Sequence, residues 1–184
     1  RPGHGETGGS YLEDQGSCGR ARYVESGLAT AESIQSAIDF MTKQPFIKPA
    51  GVLVVGNSAG AWGALALASR NPANVSAVVN FSGGRGGRNR GKADNNCSAD
   101  RLVAAAGEFG RTAHIPTLWL YAQNDSFFPP DISGEMAEFF NRSGGTVDYV
   151  LLPPVAPDGH RLINTSPPSA TWVEPLERFL GRVS

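Results

Sequence analysis

One serine sits between two glycines at the spacing of a tight strand-to-helix turn: Gly56-Asn57-Ser58-Ala59-Gly60. A hydroxyl is a weak nucleophile until a base takes its proton, and the base in turn needs an acid to fix its tautomer. The chain has three histidines. His4 precedes the first helical pattern, and His114 lies just before an apolar run, at its N-terminal end. His160, in Pro157-Asp158-Gly159-His160, follows the last apolar run at its C-terminal end. Tyr121-Ala-Gln-Asn-Asp125 leaves the preceding run at that same end, so Asp125 is the expected acid, with Asp158 and Asp131 as weaker candidates. Such a trio does acyl transfer. Ser58 would attack a carbonyl carbon, His160 would carry the proton, and Asp125 would hold the imidazole. The backbone N–H of Ala59 would supply one oxyanion donor.

Loops can deliver three such groups to one place only if ordered elements aim them. The pattern predicts those elements in alternation. Residues 28–41 place Ala31, Ile34, Ile38 and Met41 on one helical face and stop before Pro45. Gly51-Val-Leu-Val-Val-Gly56 is a short Val-rich run that suits a strand buried on both faces. A helix over Ala59–Arg70 ends at Asn71-Pro72. Strands follow at Val75–Phe81, Thr117–Ala122 and Val147–Leu152. Helices are expected at Ala99–Phe109, with Ser98 as cap, at Ile132–Arg142 and at about Trp172–Leu180. This order calls for a single α/β domain over residues 1–184, a parallel sheet with helices on both faces. In that arrangement the elbow holding Ser58 needs small neighbours, because a Cβ at Gly56 or Gly60 would meet adjacent backbone.

Composition excludes several function classes. With 184 residues, the chain is one domain long and buries roughly 70% of its unfolded surface. Sixteen Lys and Arg against seventeen Asp and Glu leave a net charge of −1, which argues against nucleic-acid binding by phosphate neutralisation. No apolar run approaches the length that spans a bilayer. Ser82-Gly-Gly-Arg-Gly-Gly-Arg-Asn-Arg-Gly-Lys92 carries four cations but lacks interleaved aromatics, so a solvated loop bordering a pocket is expected, not an RNA-binding tract. Gly3-His-Gly-Glu-Thr-Gly8 fits GxGxxG, yet no strand precedes it, and a dinucleotide site is not expected. Two cysteines, Cys18 and Cys97, suggest no zinc site; one disulfide and two free thiols both stay open.

The run from Arg1 to Gly9, Gly-Asn-Ser58-Ala-Gly, Asn-Asp125-Ser-Phe-Phe-Pro and Asp-Gly-His160 together resemble bacterial dienelactone-hydrolase-like α/β-hydrolases. The resemblance covers essentially the whole chain and implies a serine hydrolase of small carboxylic esters without metal or organic cofactor. Dienelactone hydrolases proper carry a cysteine nucleophile; Ser58 here favours a general esterase. Trp62, Phe127 and Phe128, close in sequence to nucleophile and acid, are candidates for an acyl pocket, the alternative being core packing.

In that fold the elbow follows the fifth strand, whereas here only one helix and one loop precede Gly51. The opening third is therefore expected to lie outside this sequence. The expected strand Val52–Val55 would then show a bare edge, to be completed by an upstream segment or a second chain that also carries the second oxyanion donor. Failing that, Gly3 or Gly5 would have to supply it. The loops bearing Cys18 and Cys97 both fall over the catalytic face, so a Cys18–Cys97 disulfide and a periplasmic or secreted location are the expectation. Two other classes remain: a peptidase of prolyl-oligopeptidase type, and a non-catalytic fragment that keeps the triad residues.

Overall fold

A computed structural model describes residues 3, 6–166 and 170–183. Its regular elements are α1 (Tyr23–Met41), β1 (Val52–Asn57), α2 (Ala59–Ala68), β2 (Val75–Phe81), α3 (Ala99–Gly110), β3 (Thr117–Ala122), α4 (Pro130–Arg142), β4 (Val147–Leu152) and α5 (Val173–Val183). Short 3₁₀ turns occupy Cys18–Arg20, Asn89–Gly91 and Gly159–Asn164. The strands pair in the order β1-β2-β3-β4, each neighbouring pair parallel. A parallel pair needs a crossover, and a helix supplies it in every case.

The strands alternate their side chains between two apolar layers. Val54, Val78, Trp119 and Tyr121 face a core shared with α1, α2, α3 and α4. Ala77, Val79, Leu118 and Leu120 face the other way, against Leu162 and Phe179 of the C-terminal segment. Both sheet faces are thus covered, though unequally. The central helix α2 is buried from Ala61 to Ala68, which accounts for its being apolar all round rather than amphipathic.

β1 departs from expectation. Only Val54 of this strand is buried, while Leu53 and Val55 are 37% and 50% exposed. Among the described residues β1 pairs with β2 alone, and α5 does not reach across to cover its second face. α1 also begins five residues earlier than its apolar periodicity suggests. Its first turns are anchored by Tyr23, Ser26, Gly27 and Thr30, buried residues too small or polar to register as a hydrophobic stripe. Ser98 stands at the head of α3 but does not cap it; its hydroxyl donates to the Cys18 carbonyl instead.

α1 and α2 lie against one another through Gly63. A Cβ built there would fall 2.2 Å from Thr30 Cγ2 and 2.5 Å from its Cβ. Gly63→Ala should therefore destabilise the protein by about 1–3 kcal/mol through overpacking, read as a lower urea midpoint. Gly181→Ala in α5, where an added Cβ meets nothing within 4 Å, is the control and should be neutral or gain up to about 1 kcal/mol.

Candidate active site

Ser58 occupies the junction between β1 and α2 with φ 53° and ψ −125°. A side-chain-bearing residue in this region carries strain of the order of 1–3 kcal/mol, so surrounding contacts must impose it. They are present. Ser58 N–H donates to Phe81 O at the end of β2 (3.0 Å), and Ser58 O accepts from Trp62 N (3.0 Å) and Gly84 N (3.3 Å). Gly56 permits the turn: a Cβ there would lie 2.5 Å from Ala61 Cα and 2.6 Å from its N. Gly60 does not share this role, since an added Cβ finds open space; it already points away from the turn along α2.

The other two groups arrive from neighbouring strand ends. His160 Nε2 lies 3.0 Å from Ser58 Oγ. His160 Nδ1 lies 3.1 and 3.3 Å from Asp125 Oδ1 and Oδ2. Asp125, 1% exposed, also accepts the backbone N–H groups of Phe127 (2.9 Å) and Phe128 (3.1 Å). These bonds aim its carboxyl group at the imidazole. Asp131 lies in the first turn of α4, exposed. Asp158 contacts His160 through the backbone N–H (3.0 Å), leaving the ring nitrogens to Ser58 and Asp125. Partial burial alone would raise the Asp158 pKa. Hydrogen bonds from the Ser126 hydroxyl and from the His160 and Ser126 amides outweigh it and hold the carboxyl below its ordinary value.

The three expected pocket aromatics separate. Trp62 is fully buried, its Nε1 donating to Tyr23 O at 2.8 Å and its ring packed on Phe109, so it belongs to the core. These contacts direct it toward α1 and α3. Phe128 is 2% exposed and fills the space over Gly84. Phe127 stacks on the His160 ring, centroids 4.0 Å apart at 20°. With Arg88, Pro157, Asp158, His160 and Arg161 it lines a cavity of about 420 Å³. The glycine-rich stretch after β2 is likewise only partly solvated. Arg85 is 9% exposed, paired with buried Glu13 (3.2 Å) and bonded to Thr30 Oγ1 (3.0 Å) of α1. Arg88 lies over the outer face of Phe127, 5.5 Å from its centroid. The expected solvated loop thus holds for the exposed tip and for Arg88 at the cavity, and fails at Arg85, because composition does not distinguish a buried arginine from a solvated one.

Cys18 and Cys97 are joined by a disulfide. The Tyr23 hydroxyl donates to the Cys97 carbonyl, and burial, with Asp100 nearby, pushes its pKa up to about 12. Ala59 begins α2, where helix geometry leaves N–H groups without intrahelical acceptors. Gly3 is in a turn with its N–H on Gly8 O (3.5 Å); His4 and Gly5 lie outside the described residues.

A family model described as BAAT / acyl-CoA thioester hydrolase C terminal matches residues 31–98, a segment that includes Ser58. No curated protein matches the sequence. Among solved structures, the chain is similar to an esterase from Pyrococcus furiosus, with TM-score 0.67 and 15% identity over 99% of this chain and 68% of that one. A proposed dienelactone hydrolase from Klebsiella pneumoniae aligns with TM-score 0.55 and 16% identity over 89% of this chain and 60% of that one. An acylaminoacyl peptidase from Pyrococcus horikoshii aligns with TM-score 0.59 and 14% identity over 86% and 28%. At these identities the likeness is one of fold, and the fold is that of α/β-hydrolases. The chain spans 60% of the Klebsiella protein and 28% of the peptidase.

The lowered Asp158 pKa makes stability depend on pH in a stated direction. A folded-state pKa below the unfolded one contributes stability that is present above the ordinary carboxylate range and lost as pH falls through the depressed value. The gap in Tm between wild type and Asp158→Asn should be widest at neutral pH and close in acid. A gap that does not change with pH would contradict the assignment.

Proposed function

We propose that this protein hydrolyses carboxylic esters through an acyl-enzyme on Ser58. The observation that carries the reading is the unbroken line from Ser58 Oγ through both His160 nitrogens to buried Asp125, with separations of 3.0 and 3.1 Å. Ser58 attacks the acyl carbon as His160 Nε2 takes its proton. The imidazolium, held by Asp125, returns the proton to the departing alcohol, and water then repeats the cycle on the acyl-enzyme. The oxyanion is met by the Ala59 N–H. A second donor, worth about 10²–10³ in rate, is assigned to an upstream segment or second chain against the β1 edge. The cavity beside His160 and Phe127 leaves room for an ester next to the base. Serine at position 58 argues against the narrower dienelactone reaction, and no cofactor is needed. The disulfide favours an exported protein.

A peptidase is the second reading, favoured by the likeness to the acylaminoacyl peptidase. Hydrolysis of p-nitrophenyl acetate but not of peptide amides separates the two. A fluorophosphonate probe should add mass at Ser58; failure to label it would favour a non-catalytic role. Ser58→Ala should abolish turnover while leaving the thermal midpoint near that of wild type. Asp125→Asn should be nearly as severe, since the same change in a serine protease costs about 10⁴ in kcat by fixing the wrong tautomer. Greater damage from Asp158→Asn would move the acid to Asp158.

A further inference from the structure

We propose that Asp158 is a positioning residue that fixes His160 against Asp125 by hydrogen-bonding the two loops that carry them. The proposal rests on the triad reading. Oδ1 of Asp158 accepts two backbone N–H groups, that of Ser126 at 3.1 Å and that of His160 at 3.0 Å. Oδ2 accepts the Ser126 hydroxyl at 2.5 Å and has the Arg88 guanidinium 3.6 Å away. Ser126 directly follows the triad acid on the loop leaving β3, and Asp158 sits two residues before the base on the loop leaving β4. One carboxylate therefore fixes the separation of two main-chain segments whose side chains must meet at 3.1 Å.

The same frame sets the aromatic wall. Phe127 follows Ser126, gives its N–H to Asp125 Oδ1 and lays its ring on the imidazole. Releasing Ser126 would shift the acid and the wall together. The rest of the β4 loop has separate anchors. Asn124 bonds Val155 in both directions at 2.8 Å, and its carbonyl accepts the Gly159 N–H at 3.2 Å. Loss of the Asp158 carboxylate should therefore loosen the histidine without unfolding the loop. Asp158 also stands as N-cap of the Gly159–Asn164 turn, so His160 is held at the first residues of a short, otherwise weak helical element.

The test compares Asp158→Ala with Asp158→Asn, which keeps an acceptor oxygen for both backbone N–H groups. Two readouts apply: kcat and KM on p-nitrophenyl acetate, and the downfield proton resonance of His160 Nδ1–H. Asp158→Ala should lower kcat by up to about a hundredfold with KM unchanged, the cost of a misplaced reacting group, and should broaden or abolish the resonance. Asp158→Asn should keep most of the rate and the resonance. Wild-type kcat and resonance in Asp158→Ala would overturn the proposal, as would Asp158→Asn proving as damaging as Asp158→Ala. If circular dichroism shows Asp158→Ala unfolded, Asp158→Ser takes its place, since its hydroxyl still caps the Gly159–Asn164 turn but is too short to reach the Ser126 loop as well, with reduced kcat supporting the frame and wild-type kcat refuting it. If wild type neither hydrolyses ester nor takes the fluorophosphonate probe, the hydrolase reading fails. The resonance then still decides the positioning role: lost in Asp158→Ala and kept in Asp158→Asn, or not.

Discussion

The left-handed backbone of Ser58 is the constraint around which its neighbours are arranged. A serine with φ 53° would relax if its flanks allowed it, and each flank is fixed by a different element. β2 holds the amide through Phe81 O, which also receives the Asn57 side chain at 3.1 Å. The loop after β2 holds the carbonyl through Gly84. That loop is itself fastened by Asn80, whose Oδ1 accepts Gly83 N–H at 2.8 Å, and by Tyr121, whose hydroxyl donates to Gly83 O at 2.7 Å. Burial drives the Tyr121 pKa upward, so the phenol remains a donor. A polar core residue of β2 and another of β3 thus support the geometry of the residue between β1 and α2.

The loop after β2 distributes its positive charges by depth. Arg85 runs inward to Glu13, Thr30 and Tyr11, linking the loop to α1 and to the segment before it. Burying such a pair incurs a desolvation cost that its mutual attraction only partly offsets, so its use here is better read as orientation than as net stability. Arg88 runs outward, bonding Ser126 Oγ and Gly91 O while covering Phe127. One short glycine-rich stretch therefore braces Ser58 from below and the Asp125 loop from the side.

Much of this was legible in the residue order. The bounds of β2, β3 and β4 agree with their apolar runs; β2 and β3 are central strands buried between two layers, whereas β4 is an edge strand with only Leu152 buried. Ser58, Asp125 and His160 stood out because their strands point the same way, so that three C-terminal ends converge. What stayed hidden depends on partners distant in sequence. The first turns of α1 are specified by Trp62 and Cys97, not by their own periodicity. Trp62 lies four residues from Ser58, yet its partners, the Tyr23 carbonyl and the Phe109 ring, lie in distant parts of the chain and hold it in the core. The frame at Asp158 left a single local trace, an aspartate two residues ahead of a histidine, which is also the pattern of an N-cap.

The disulfide has a topological consequence. Cys18 and Cys97, 79 positions apart, close a covalent ring that contains α1, β1, α2 and β2, and with them Ser58. Asp125 and His160 lie on the strand of chain that leaves the ring. A peptide bond cleaved within the ring, at the exposed tip around residues 90–94 for instance, would open the circle without freeing either piece. The half bearing Ser58 would stay tethered to the half that carries Asp125 and His160, and only reduction would let them part.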